Sequence, residues 1–250
     1  MHFDEIDSTS SWLKENENEL AGKTVAVAAF QTAGRGRLGR KWRAPSGSAL
    51  MFSMLLRPNW PIDQGQGSWL MMICGLAASE ALAAISSTQI QLKWPNDVVF
   101  MQDDKLHKLG GILSEATIDN QFLSQAIIGI GINVNMTAEQ LPQNANTPPC
   151  SLQTLTHKKF DTNLILEAIL SRFEKYYQAA ADGVSPLNRW QNKLVTVGRP
   201  VTATLTNPQN RTCKISGVAT GVDEWGRLLI MTENGMTEAV AAGDVTLRNS

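Results

Sequence analysis

The stretch Gly34 to Arg43, reading G-R-G-R-L-G-R-K-W-R, holds five cations and three glycines in ten residues and lies between two apolar runs. No Asp or Glu occurs between Glu19 and Asp63, so no neighbour in the sequence neutralises it. The runs on either side, Thr24 to Gln31 and Ala49 to Arg57, are apolar, partly β-branched and strand-like. The basic segment is therefore a loop joining two strands. Its glycines at 34, 36 and 39 let the backbone approach a ligand, while Arg35 and Arg37 offer planar, charge-assisted donors to phosphate or carboxylate oxygens.

With 250 residues and 43% hydrophobic content, the chain can bury a substantial core. A net charge of −1 makes the basic loop a local feature, which argues against general adhesion to nucleic acid or membrane. Cys74, Cys150 and Cys213 are widely spaced and contain no C-x-x-C pair, so neither a disulfide framework nor a zinc cage is expected and a reducing, cytoplasmic setting fits. The acidic N-terminus M-H-F-D-E-I-D has no secretory pattern. The most apolar run, Trp69 to Ile85, has 17 residues and contains Glu80, short of the ~20 that a span needs, and reads as a buried helix.

Caps at Asp7, Ser8 and Thr9 predict a helix over Ser11 to Leu20 ending near Gly22. Strands are predicted at Ile90–Trp94 and Val98–Met101, separated by Pro95-Asn96-Asp97, then at Leu109–Ala116 and Ser124–Val134. Leu141 to Pro149 reads as surface loop, Asp161 to Ala181 as a helix capped by Asp161, and Pro186 to Leu194 as a short helix. From Val195 onward short alternating runs separated by turns predict a small all-β barrel. The expected division is a larger domain at 1–194 and a β-barrel domain at 195–250.

Gly34-x-Gly36-x-x-Gly39 has the letters of a dinucleotide fingerprint, but no helix begins inside it and no acid follows before Asp63. Any nucleotide must be held differently. Lys93-Trp94-Pro95-Asn96-Asp97 is turn chemistry at a strand end, and it can also present Asn96 and Asp97 to a pocket, the carboxylate orienting a lysine or a metal on polyphosphate. Lys108-Leu109-Gly110-Gly111-Ile112-Leu113 places a lysine at the start of an apolar strand whose glycines permit close approach. Such a lysine can neutralise a carboxylate and an α-phosphate as they join. Gly129-Ile130-Gly131-Ile132-Asn133 repeats the pattern, a glycine-bearing strand ending in an amide.

Taken in order, D-S-T at 7–9, Gln31, G-R-G-R-L-G-R-x-W at 34–42, P-x-G-x-x-L at 45–50, K-W-P-N-D at 93–97, K-L-G-G-I-L at 108–113 and G-I-G-I-N at 129–133 resemble the biotin protein ligases across the whole chain. The early D-S-T resembles the monofunctional form, without a DNA-binding domain ahead of it. The resemblance implies an α/β (α+β) fold: a mixed-sheet catalytic domain of the biotin/lipoyl ligase type followed by a small SH3-like β-barrel. It implies that biotin's carboxylate attacks the α-phosphate of ATP, giving biotinyl-5′-AMP and pyrophosphate. A lysine of a biotin carboxyl carrier domain, such as that of acetyl-CoA carboxylase, then takes the acyl group.

By the same carry-over, Lys108 and Arg37 are the expected catalytic residues. Ser8, Thr9, Ser10, Gln31, Arg35, Gly36, Arg37, Lys108, Gly110 and Gly131 are expected at biotin, with Ser10 standing where the family usually has Asn. Arg35, Arg37, Arg40, Trp42, Asn96, Asp97 and Asn133 are expected at ATP or the adenylate, Trp42 and Asn133 at the adenine. Magnesium is expected with ATP, with Asp97 beside it, and the protein is expected to act as a monomer or homodimer without specific DNA binding. The rival readings are a lipoate or octanoate ligase, similar in catalytic fold, and a nucleic-acid binder using Arg35 to Arg43, which would need strongly salt-dependent affinity.

Overall fold

The structure, a computed structural model, describes residues 1–63, 65–143, 145, 147–206 and 212–247. In chain order the strands are β1 (His2–Ile6), β2 (Thr24–Gln31), β3 (Ala49–Leu56), β4 (Trp60–Pro61), β5 (Ile90–Lys93), β6 (Asp97–Gln102), β7 (Lys105–Asp119) and β8 (Phe122–Asn133). They continue with β9 (Pro200–Thr206), β10 (Thr212–Val222), β11 (Leu228–Thr232), β12 (Thr237–Val240) and β13 (Asp244–Leu247). The helices are α1 (Thr9–Glu15), α2 (Gln66–Ser86), α3 (Leu152–Thr156), α4 (Thr162–Ala181) and α5 (Leu187–Gln191). The larger sheet runs β1-β2-β3-β8-β7-β6-β5, with β4 joined to β8. It is mixed, because β1 pairs parallel to β2 while the ladders beyond are antiparallel.

Period-two alternation divides this sheet into two chemically different faces. All eight residues of β3 are buried, yet they join different clusters. Leu50, Phe52, Met54 and Leu56 enter the main core with Ile128, Ile130 and Ile132 of β8 and the buried residues of α2. On the opposite face Ala49 and Met51 pack with Trp42, and Leu55 packs with Leu13 of α1 and Ile127. Between those two small apolar clusters lies Ser53, fully buried. The main-core face is covered by α2, backed by α4, whose Ile165, Ile169, Phe173, Tyr177 and Ala180 form a buried stripe at helical spacing.

The C-terminal unit is the antiparallel β structure expected, in the order β12-β11-β10-β9-β13. Among the described residues no ladder joins β12 to β13, so its hydrogen bonding is that of an open sheet. It is tied to the larger sheet at several points. The chain leaving α5 runs beside edge strand β5, Leu92 donating to the Lys193 carbonyl at 2.9 Å and Val195 to the Leu92 carbonyl at 2.8 Å. Trp94, 2% exposed, donates its backbone N–H to Thr196 Oγ1 at 3.0 Å and its indole N–H to the Gly226 carbonyl at 2.9 Å. Gly65, at φ 80°, lies so close to the Glu224 carbonyl that a Cβ would stand 2.0 Å from its oxygen.

The expected strands and long helices are present; the two-residue β4 was not expected, and four further elements differ. The first helix stops at Glu15 with Asn16 as its C-cap, whose backbone N–H and side chain both return to the Trp12 carbonyl. The acidic N-terminus forms β1, an edge strand with little buried surface and hence little hydrophobic signal. α3, five residues long and closed by the Ser151–Thr154 capping box, falls after the loop at 141–149 without a periodic pattern. α2 has 21 residues rather than 17, so its length does not exclude a membrane span. Its place does, since 12 of those residues are buried in the protein core.

Gly65→Ala should open the junction between the two sheets, because the added methyl meets backbone and the residue sits at positive φ. A loss of roughly 1–3 kcal/mol is expected, read as a lower urea midpoint.

Candidate active site

At the cleft, the face of β3 and β8 turned away from α2 is mostly small and polar, with Ser53 opposite Gly129 and Ala49 opposite Asn133, and the apolar Met51 between them opposite Gly131. The space this leaves is a cleft of about 1150 Å³, more than the ~300–1,000 Å³ typical of a single small-ligand site. Every residue expected at biotin or ATP lines it except Gly110.

At one end is a nest of hydroxyls. Ser8, Thr9 and Ser10 begin α1, with Ser8 as N-cap, and are 2%, 2% and 6% exposed. Thr9 Oγ1 and Ser10 Oγ hydrogen-bond to Ser53 Oγ at 2.7 and 2.9 Å. Gln31 Oε1 accepts from the Thr9 backbone N–H at 2.8 Å and from its hydroxyl at 3.2 Å. Gly129 makes room for the nest, since a Cβ there would stand 2.8 Å from Ser10 Oγ. Hydroxyls donate and accept, so this end suits a compact polar head group carrying both kinds of site.

Gly131, the next residue but one, accepts Trp42 in the same way, with a Cβ position 2.7 Å from indole Cε2. Trp42 Nε1 is buried without a partner among the described residues, a donor left for something else. Asn133 donates to the Cys150 carbonyl at 2.9 Å and is 5% exposed.

The glycine/arginine loop closes over this floor. Its base is pinned by the Trp42 N–H to the Gly34 carbonyl at 2.9 Å and the Gly36 N–H to the Arg40 carbonyl at 2.8 Å. A 3₁₀ turn at Arg37–Gly39 forms its tip, with Leu38 left 63% exposed. Arg35 pairs with Glu115 of β7, Arg40 pairs with Asp244 of β13, and Arg37 Nη1 donates to Asn96 Oδ1 at 2.8 Å. Burial lowers the Arg37 guanidinium below its ordinary value, with Asp244 and Asp97 opposing; as an arginine it remains charged.

Lys108 reaches the same face through a bulge. In an unbroken strand Lys108 and Gly110 would share a face, in keeping with the expectation, drawn from the resemblance, that both meet biotin. The β6–β7 ladder instead shifts register, Val98 pairing with Gly110 and Val99 with Lys108, so Leu109 is the extra residue and enters the main core. Lys108 therefore turns to the face of Gly111, where a Cβ would lie 3.5 Å from Lys108 Nζ. Its ammonium meets Asp97 Oδ1 at 2.6 Å. Gly110 faces Ile132 across the ladder, where a Cβ would stand 2.5 Å from Ile132 Cδ1 and from the Gly131 carbonyl. The loop at 147–150 holds the lysine backbone, Lys108 N–H donating to the Pro148 carbonyl at 2.7 Å and Cys150 N–H to the Lys108 carbonyl at 2.9 Å.

Ser53, Lys93, Gly111, Gly129, Arg199 and Asp244 also line the cleft, and the sequence assigned none of them. Lys93 belongs to a motif already singled out, and alternation from the buried β3 could have found Ser53. Arg199 and Asp244 come from the C-terminal sheet and carry no local signal.

Residues 2–133 match the biotin/lipoate A/B protein ligase family, and residues 196–248 match the biotin protein ligase C-terminal domain. The bifunctional ligase/repressor BirA of Bacillus spizizenii is 32% identical over 97% of this chain and 72% of its own length. The biotin–[acetyl-CoA-carboxylase] ligase of Paracoccus denitrificans is 29% identical over 90% of each. The biotin protein ligase of Aquifex aeolicus, solved in complex with biotin and ATP, superposes with a TM-score of 0.80 at 33% identity, covering 100% of this chain and 98% of that one. The chain therefore belongs to the biotin/lipoate A/B protein ligase family and, within it, to the biotin protein ligases.

The two adjacent glycines separate packing from the cleft. Gly110→Ala should lower the melting temperature by several degrees, since its methyl meets backbone, whereas Gly111→Ala should melt normally and perturb only the Lys108 side chain. Differential scanning calorimetry of the pair checks this.

Proposed function

We infer that the chain is an ATP-dependent ligase that activates biotin as biotinyl-5′-AMP and transfers it to a lysine of a biotin carboxyl carrier domain, such as that of acetyl-CoA carboxylase. The observation that carries this reading is the pairing, within one cleft, of a buried hydroxyl nest with a lysine–carboxylate pair about two strand spacings away. The ureido head of biotin offers two N–H donors and a carbonyl acceptor, which suit Ser8, Thr9, Ser10 and Gln31. Its ring and chain then run beside the groups that cover Gly129 and Gly131, namely Ser10, Ser53 and Trp42, bringing the carboxylate to Lys108.

Two anions must meet in the first step, and cations allow it. Lys108 neutralises the biotin carboxylate and the α-phosphate as the new P–O bond forms, with Arg35 and Arg37 donating to the same oxygens. Trp42 and Asn133 serve the adenine, and Arg40, Asn96 and Asp97 the phosphates. Among the described residues no group of three or more His, Cys, Asp or Glu gathers to hold a metal. The carboxylate of Asp97, facing the cleft, nevertheless suits magnesium, which binds through one or two carboxylates and the substrate's own phosphates. Asp97 would hold the ion, which would supply charge neutralisation on the phosphates.

The adenylate is a mixed anhydride open to hydrolysis, and the loop that Arg37 fastens to Asn96 excludes water from it. We place the boundary between catalytic and C-terminal domains at 194/195, and the protein in a reducing cytoplasm. Burial raises the Cys150 thiol to about 12 and Cys74 further, so both are inert there.

Pyrophosphate exchange into ATP should be triggered by biotin and not by lipoate or octanoate; exchange with either of the latter alone would overturn the substrate assignment. Lys108→Ala should reduce exchange at least ~100-fold with an unchanged melting temperature. Arg37→Gly should still form adenylate but release it, detected as biotin on lysines of an added bystander protein.

A further inference from the structure

Lys93 ends β5 and is 8% exposed, the only charged side chain among the buried residues described. Among the described residues it forms no ion pair, unlike Arg35, Arg40 and Lys108, which line the same cleft. Its ammonium donates to Thr147 Oγ1 at 3.3 Å. A largely buried ammonium with no carboxylate in ion-pair contact is unfavourable for folding, so its retention calls for an anion supplied from outside. Desolvation lowers its pKa, and Asp97 and Asp244 only partly oppose this against Lys108 and Arg40.

Sheet register fixes where that anion lies. Met51, Gly131, Gly111, Asp97 and Lys93 form one continuous cross-strand row over β3, β8, β7, β6 and β5. Neighbouring strands are ~4.8 Å apart, so Lys93 stands ~10 Å beyond Gly111, over which Lys108 lies. An α-phosphate at Lys108 thus has its β- and γ-phosphates one to two strands further along the row, at Asp97 and Lys93.

We propose that Lys93 binds the β,γ-phosphates of ATP and acts as a catalytic residue for departure of pyrophosphate. This rests on the adenylating function inferred above. In that step a biotin carboxylate oxygen forms a bond to the α-phosphorus, and the bond from that phosphorus to the bridging oxygen breaks. The electron pair leaves on pyrophosphate, whose growing charge the ammonium meets without giving up its proton. Biotinyl-5′-AMP has no β-phosphate, so Lys93 takes no part in transfer to the carrier.

The test uses the full chain as wild type, Lys93→Met and Lys93→Arg. Three quantities are measured: single-turnover adenylation from biotin and magnesium ATP, transfer from supplied biotinyl-5′-AMP to a carrier domain, and binding of inorganic pyrophosphate by calorimetry. Lys93→Met is expected to slow adenylation ~100-fold and weaken pyrophosphate binding, with transfer unchanged and a melting temperature equal to or above wild type. Lys93→Arg should recover part of the adenylation and keep the fold should the methionine variant lose it. Equal loss in both half-reactions, or undiminished pyrophosphate binding in a folded variant, overturns the proposal. Wild type that binds pyrophosphate through Lys93 but shows no biotin-dependent exchange would instead overturn the substrate reading and leave the phosphate site standing.

Discussion

The cleft depends on the ladder of β3, β8 and β7, in which one face is bulky and the other nearly bare. Ile128, Ile130 and Ile132 drive β8 into the core, while Gly129 and Gly131, between them, leave the opposite face open. The room gained is filled by Ser10 and Ser53 over one glycine and Trp42 over the other. A single methyl at either position would collide with these groups, so the polar nest and the aromatic cover exist only because β8 alternates isoleucine with glycine.

Around that floor the charges are organised by pairing. Lys108 is held by Asp97, Arg40 by Asp244 and Arg35 by Glu115, while Arg37 is held by the neutral amide of Asn96. Most of these pairs are partly exposed, so each adds little to stability. Their effect is positional: they draw the basic loop, the 94–97 turn and the C-terminal sheet onto one cleft. Trp94 has the same role in the core, its indole and backbone N–H both bound to the segment from Thr196 to Gly226.

Much of the fold was legible because its signals are local. β2, β3, β8 and α4 carry strong periodicity and fall within a residue or two of expectation. β1 and α3 do not, since the first is an exposed edge strand and the second a five-residue turn stabilised by capping rather than by an apolar stripe. α1 ended early because a side-chain cap at Asn16 outcompeted a helical composition that continues to Leu20.

The sequence by itself determined the residue types in the cleft, because short ordered motifs dictate which side chains can bind anions, hydroxyl partners and rings. Which of them share a face was a tertiary decision. Strict alternation puts Lys108 with Gly110, and only the bulge at Leu109, read from the β6–β7 register, turns the lysine to Gly111 and Asp97. Likewise only the folded chain brings Asp244 to Arg40, some two hundred residues away, and leaves Lys93 buried with no carboxylate ion-paired to it among the described residues. Register depends on how two strands meet rather than on the residues of either alone, and the Arg40–Asp244 pair spans more chain than any local window of sequence.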